Sequence, residues 1–227
     1  MSWVLENLVL IGSLAAVHLR QCAISLILGF ICSVPLGWLA WRYSGLRTLL
    51  LTATGLLYTI PSLALLLILP AILGFSVASE VNLIAALTIY AIAIMVRAVA
   101  DGLASVDHGT RQAATAVGFG ELRRVITVDL PLAGPVILSG VRVAAVSTIS
   151  LATVGILVGV TNLGYLFTNG LQRRIIAEVA AGVLAVVVIA LIIDAVLVLL
   201  GRLLMPWASS SPAHRGARDV APGGSAL

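Results

Sequence analysis

Arg111-Gln112-Ala113-Ala114-Thr115-Ala116-Val117-Gly118 is a polar, alanine-rich stretch inside a chain that is 61% hydrophobic and only 10% charged. Its reading decides the architecture, because it separates apolar blocks long enough to cross a bilayer. Residues 107–117 suit a short helix, with Asp107 placed to cap its start. Gly118 and Gly120 allow a sharp reversal that residues bearing a Cβ resist. Residues 121–129 suit a second short helix. Its apolar stripe would be Leu122, Val125, Ile126 and Val128, and its polar face Glu121, Arg123, Arg124 and Asp129. Leu130-Pro131-Leu132 is expected to end it and turn the chain into the next apolar block. The predicted product is a compact knob, and Ala113, Ala114 and Ala116 are small enough to let it sit close inside a groove of another protein.

Outward from the knob, the chain reads as membrane. A soluble domain carries about 25% charged residues; this one has 10% and a mean hydropathy of +1.17. A bilayer-crossing helix needs about 20 apolar residues. Blocks meeting that need lie near 18–41, 48–75, 81–100, 132–160 and 175–204, so the fold class expected is an all-α integral membrane protein of about five spans. The second block contains Pro61 and Pro70 and is long, which predicts a tilted or broken helix. Residues 1–17 carry Glu6 and Asn7 without a basic start, so they read as an interfacial lead-in rather than a cleavable signal. Residues 205–227, rich in Ser, Pro and Gly, read as a disordered tail. Arg42, Arg47, Arg111, Arg123, Arg124, Arg202, Arg215 and Arg218 fall on one side, against Arg20, Arg173 and Arg174 on the other. The positive-inside rule then places the N-terminus outside, and the knob and the C-terminus in the cytoplasm.

Several function classes find no residues. The net charge of +4 comes entirely from dispersed arginines and aromatics are only 5%, which argues against nucleic acid. No phosphate-binding G-x-x-x-x-G-K-[ST] stretch is present. His18, His108 and His214 are too scattered for a metal site, and Ser139 has no membrane-embedded His to act as its base. No catalytic residue is therefore expected. Cys22 and Cys32 lie roughly 15 Å apart along one helix, beyond disulfide reach. An aromatic cage for an ammonium group would need clustered rings, whereas Trp3, Trp38, Trp41 and Trp207 fall at membrane edges. Selectivity is expected to reside in a separate binding protein.

The stretch from Gln112 to Gly118, with Leu130-Pro131 downstream, resembles the cytoplasmic E-A-A-x-x-x-G loop of permease subunits of binding-protein-dependent ABC importers. Further stretches are similar to the osmoprotectant branch of that family, whose members carry glycine betaine, carnitine, choline or proline betaine. Thr59-Ile60-Pro61-Ser62-Leu63-Ala64-Leu65-Leu66 looks like its T-I-P-S-L-A-L-L. The segment Tyr90-Ala91-Ile92-Ala93-Ile94-Met95-Val96-Arg97 is similar to Y-x-x-x-P-x-x-R-N, with Ile94 for Pro and Ala98 for Asn. Residues 103–107 match the lead into the loop, and residues 130–142 are close to L-P-L-A-x-P-V-I-x-x-G-I-R. Leu163-Gly164 and residues 167–171 are similar to the family's G-G-L-G turn and its continuation. The resemblance covers about 18–204. It implies a type I ABC importer permease core whose loop, 107–131, docks on an ATPase through Gln112, Ala113, Ala114, Gly118 and Gly120. Partners implied are that ATP-binding subunit, an extracytoplasmic substrate-binding protein and a second permease, as homodimer or heterodimer, in a bacterial cytoplasmic membrane. No cofactor is implied in this chain; ATP and Mg would be bound by the ATPase. Gln112 stands where the family has Glu, and it can accept a hydrogen bond without the charge-assisted part.

Alternatives stay open at this stage. A methionine or other amino-acid importer shares the loop and core; a secondary transporter or channel acting alone would need two matched halves. Pro61 and Ser62 are candidates for the pathway or for helix packing. Gly155 and Gly159 form a G-x-x-x-G step that suits close helix contact, at a pathway, a subunit seam or within the chain. Asp194, a carboxylate inside the last span, would bond a neighbouring helix or reach Arg142, or else form a proton or cation site. Arg142 itself is expected to anchor at the interface.

Overall fold

The computed structural model describes residues 2–210, and these are helical apart from short connections. Helix α1 (Ser2–Glu6) is followed by α2 (Leu8–Arg42), a 35-residue helix that contains the first span. The boundary expected at residue 17 therefore falls inside a continuous helix; only α1 stands apart, joined through Asn7, whose Nδ2 donates to the Trp3 carbonyl at 2.7 Å. Helices α3 (Ser44–Thr59) and α4 (Ser62–Leu73) meet at 109°. Pro61 has no N–H to continue α3, and it pushes Ile60 into extended backbone at φ −66°, ψ 127°. The second span is thus broken, and α5 (Glu80–Ser105) runs through the middle of the bundle.

The order continues with α6 (His108–Ala116), α7 (Glu121–Arg124), a π-helical turn (Val125–Asp129) and α8 (Leu130–Ala152). A 3-10 segment (Thr153–Val158), α9 (Gly164–Gln172) and α10 (Ile176–Leu204) follow. Among the described residues four helices are long and apolar enough to cross a membrane, or five with α3–α4 taken as one span. Two sequence expectations change. Leu130-Pro131 does not end the second knob helix: Glu121–Val158 is one rod of 38 residues. Pro131 is accommodated because the Leu130 amide reaches back five residues, to Val125, and the wider π turn opens the ladder there. The fourth span also stops short of residue 160, and the short helix α9 occupies part of what was expected to be a loop. Beyond α10, Pro206–Ser210 form a 3-10 turn; the tail expected over 205–227 otherwise lies outside the described residues.

The core is built where α5 meets its neighbours. Leu65, Leu66 and Leu69 from α4 pack with Leu83, Leu87 and Tyr90 from α5 and Ile149 from α8. Nearer the knob, Val99 and Leu103 pack with Ala133 and Ile137 of α8, bordered by Trp38 and Trp41. Against α2 the fit is closest. Ser25, Gly29, Ser33 and Gly37 recur every four residues and are all buried. A Cβ at Gly29 would lie 2.6 Å from the Ala91 Cβ, and one at Gly37 would lie 2.5 Å from the Val99 Cβ. Small residues at this period let helix backbones approach in lipid, where packing replaces the hydrophobic drive. Ser33 Oγ donates within its own helix, to the Gly29 carbonyl at 2.6 Å, and Ser25 Oγ donates to the Gln21 carbonyl at 2.9 Å and across the seam to the Ile84 carbonyl of α5 at 3.3 Å.

Gly37→Ala should therefore cost about 1–3 kcal/mol by overpacking, even though alanine favours the helix by about 1 kcal/mol. Gly12→Ala, where nothing lies within 4 Å, should be neutral or stabilising. Thermal unfolding in detergent compares the two; equal stability would show that the α2–α5 contact yields easily.

α10 is the outlier. It buries only Glu178, Gly182 and Gly201 and turns Leu184, Leu191, Leu199 and Leu203 outward.

Candidate functional site

The knob is held together by its own backbone. Asp107 Oδ2 accepts from the Thr110 amide at 2.9 Å, and that bond holds the Asp107 carboxyl below the usual carboxylate range. Gly118 sits at φ +93°, the left-handed region that ends α6, while the Phe119 amide reaches the Ala114 carbonyl at 3.1 Å. Gly120 has φ −65°, which any residue can adopt, so the reversal needs glycine only at 118. Gln112, Ala113 and Gly118 are exposed, and Ala114 is half-buried against the rest of the knob.

Beneath α6, the sequence reading placed Asp129 on a polar face. The structure buries it completely. Arg111 Nε donates to Asp129 Oδ1 at 3.1 Å and Arg124 Nε to Oδ2 at 3.4 Å. Arg111 also donates to the Leu103 carbonyl, and its guanidinium stacks 4.6 Å from the Trp41 ring. Arg124 Nη1 reaches Thr115 Oγ1 at 3.2 Å. One carboxylate therefore ties α6, α7 and the head of α8 together, and Arg111 extends the tie to the ends of α2 and α5. The expected apolar stripe is reduced accordingly: Val125 is buried, whereas Leu122 and Ile126 face outward. Outer pairs, Arg42–Glu121 at 2.6 Å and Arg47–Asp101 at 2.9 Å, are exposed and worth about 0–1 kcal/mol each. A recess of about 570 Å³ opens on the knob between Trp41, His108, Arg111, Gln112, Thr115 and Arg124.

Within the membrane, Asp194 of α10 meets Arg142 of α8 in a two-pronged pair, at 2.7 and 2.8 Å. Arg142 sits midway along α8 rather than at its start. The pair closes one end of the cleft between α8 and α10. Gly155 and Gly159 do not form a helical G-x-x-x-G face. Gly155 lies in the 3-10 segment against Leu83, and Gly159 takes φ +88° against Ala78. Pro61 and Ser62 border a cavity of about 420 Å³ at the α3–α4 kink, together with Tyr58, Tyr90, Ser147 and Ser150.

The fold joins residues that the sequence left apart. Tyr58 and Tyr90 meet edge to face at 6.1 Å, a ring pair that the sequence did not suggest. Asn82 Nδ2 donates to the Leu66 carbonyl at 2.9 Å and to the Val77 carbonyl at 3.0 Å. Leu66 is the residue whose i+4 partner, Pro70, has no amide to offer. A proline inside an apolar run, followed by a lone Asn, was the available signal. Among the described residues no group of three His, Cys, Asp or Glu side chains is placed to hold a metal.

A helical membrane bundle with one broken span and a rigidly pinned knob between α5 and α8 defines the permease class of ABC importer subunits. The chain belongs to the binding-protein-dependent transport system inner membrane component family, which matches residues 25–210. It is 33% identical to the osmoprotectant import permease protein OsmW of Salmonella typhimurium over 207 residues, 90% of this chain and 96% of that one. Over 190 residues it is 30% identical to the glycine betaine/carnitine/choline transport system permease protein OpuCD of Bacillus subtilis, covering 83% and 82%. The inward-facing MetNI methionine ABC transporter superposes with a TM-score of 0.77 at 20% identity, covering 88% of this chain and 98% of that one. At that identity the likeness concerns the fold alone. The chain is thus a multi-pass protein of the cytoplasmic membrane and a transport component that works with a binding protein.

Proposed function

We propose that this chain is the membrane-spanning half of an ATP-driven importer of compatible solutes bearing quaternary ammonium groups, such as glycine betaine, choline or carnitine. The observation that carries the reading is the match to osmoprotectant permeases over nearly the whole chain, loop included. The knob is the docking element for the ATPase. Gln112, Ala113 and Gly118 form its exposed face, Ala114 its half-buried side, and Gly120 the start of α7. ATP and Mg belong to that partner, and this chain hydrolyses nothing itself. The arginine asymmetry supports a cytoplasmic knob and C-terminus, with the N-terminus outside. A second permease, a copy or a relative, completes the pathway against lipid-facing surfaces such as that of α10.

The test is reconstitution. Alone in proteoliposomes, the chain should neither hydrolyse ATP nor accumulate solute. With its ATPase, binding protein and second permease it should accumulate choline, glycine betaine or carnitine when ATP is supplied. Accumulation by the chain alone on a proton or sodium gradient would overturn the reading, and uptake of methionine in place of these solutes would move it to the amino-acid branch.

A further inference from the structure

The kink between α3 and α4 holds a cavity to which the docking and transport roles assign no part. Its volume, about 420 Å³, falls in the range of small-molecule sites, roughly 300–1,000 Å³. Every lining residue is uncharged. Two features nevertheless make it electronegative. The Tyr58 and Tyr90 rings stand at 82° to each other, and the Tyr90 hydroxyl donates to the Ile60 carbonyl, so the pair is fixed in place. Tyr90 is buried while Tyr58 is 49% exposed, which leaves Tyr58 to present ring surface to the cavity. The second feature is the break itself. Pro61 offers no amide, and α4 turns away by 109°. Among the described residues no backbone amide donates to the carbonyls of Tyr58 or Thr59, and these lie at the negative end of α3.

Ring faces and free carbonyls attract a cation whose charge is spread over alkyl groups, and such a cation needs no carboxylate to enter. The absence of a fixed counter-charge among the lining residues also suits passage, since a site that conducts has to release what it binds. The depth is right for a way-station. Tyr90 lies ten residues into α5, about 15 Å along its axis, near the middle of a hydrocarbon layer about 30 Å thick.

We propose that this kink is a transit site for the quaternary ammonium group, held by the Tyr58 ring and the Tyr58 and Thr59 carbonyls. The inference rests on the solute class proposed above and adds the place in this chain where that class is recognised. Choline uptake is measured in proteoliposomes carrying the complete importer with wild-type, Tyr58→Phe, Tyr58→Leu or Ser150→Leu permease. Tyr58→Phe keeps the ring and should stay within about twofold of wild type. Tyr58→Leu keeps apolar bulk but loses the ring, and uptake should fall about tenfold. Ser150→Leu fills the cavity from the opposite wall and should lower uptake while leaving the ring untouched. Wild-type uptake by Tyr58→Leu overturns the proposal, as does an equal loss in Tyr58→Phe. Should Tyr58→Leu fail to co-purify with the ATPase, Ser150→Leu decides: loss of uptake upholds the site and wild-type uptake overturns it. Failure of the wild-type importer on choline, glycine betaine and carnitine alike overturns the proposed solute class first, and this inference with it.

Discussion

Asp129→Ala should loosen the knob from the helix that carries it, at a cost of about 3 kcal/mol. Removing one member of a buried ion pair costs about 3–5 kcal/mol, because the remaining charge is left desolvated. Two features of this site favour the lower end. The Arg111 and Arg124 side chains keep 14% and 19% exposure, so water can partly replace the carboxylate. Arg111 also retains the Leu103 carbonyl and the Trp41 ring. The loss should fall mainly on function: the chain should still insert, while solute-stimulated ATP hydrolysis by the assembled importer drops. Arg124→Ala should be milder than Arg111→Ala, since its contact is longer, 3.4 against 3.1 Å, and it makes fewer others. The measurement is ATP hydrolysis and uptake in the reconstituted complex, with proteolysis of the knob as a structural readout. If Asp129→Ala couples as well as wild type, the knob is held by α6 and α7 alone.

Asn82→Leu comes next in size. It withdraws the donor from two carbonyls, Leu66 and Val77, and a buried acceptor left without a partner costs about 1–3 kcal/mol. Asn82 Oδ1 has no donor of its own, so its removal returns a small part of that. The cause can be isolated by a double-mutant cycle. Pro70→Ala restores an amide at position 70, which can bond the Leu66 carbonyl along α4. In that background Asn82→Leu should cost clearly less than in the wild type, as read by thermal unfolding in detergent. Purely additive losses would mean that Asn82 holds the α4–α5 turn without replacing the bond that Pro70 cannot make.

What the sequence made legible, and what it hid, follows from periodicity. The spans were readable because apolar length alone identifies them, and the kink because Pro61 acts locally. The Asp107 cap and the Gly118 turn were readable for the same local reason. Asp129 was misplaced because it was assigned by its charge: at 3.6 residues per turn, position 129 shares a face with the buried Val125, four residues back. What makes a buried carboxylate tolerable there is its two arginine partners, Arg111 from α6 and Arg124 from α7, which meet it only in the folded knob. Gly155 and Gly159 failed on periodicity: in a 3-10 segment of three residues per turn, positions four apart no longer share a face. The Arg142–Asp194 pair was anticipated as one of the alternatives. Tyr58 and Tyr90 meet only through the packing of α3 on α5, which no local pattern encodes.

The close fit of α2 on α5 also bears on how this chain can drift. Any one-nucleotide change in a glycine codon that alters the residue adds a side chain, so Gly29 and Gly37 have no smaller neighbour within reach. Relief has to come from the facing helix. Opposite Gly37 stands Val99, which can shrink, but the Val96 carbonyl, 2.9 Å from the same Cβ position, cannot; opposite Gly29 stands Ala91, which can become glycine, and there the backbone neighbours lie at 3.6 Å. Descendants of this sequence can therefore trade bulk between positions 29 and 91, while 37 is left almost without exchange. Along one helical seam, heritable variation should pool at one end and be nearly absent at the other.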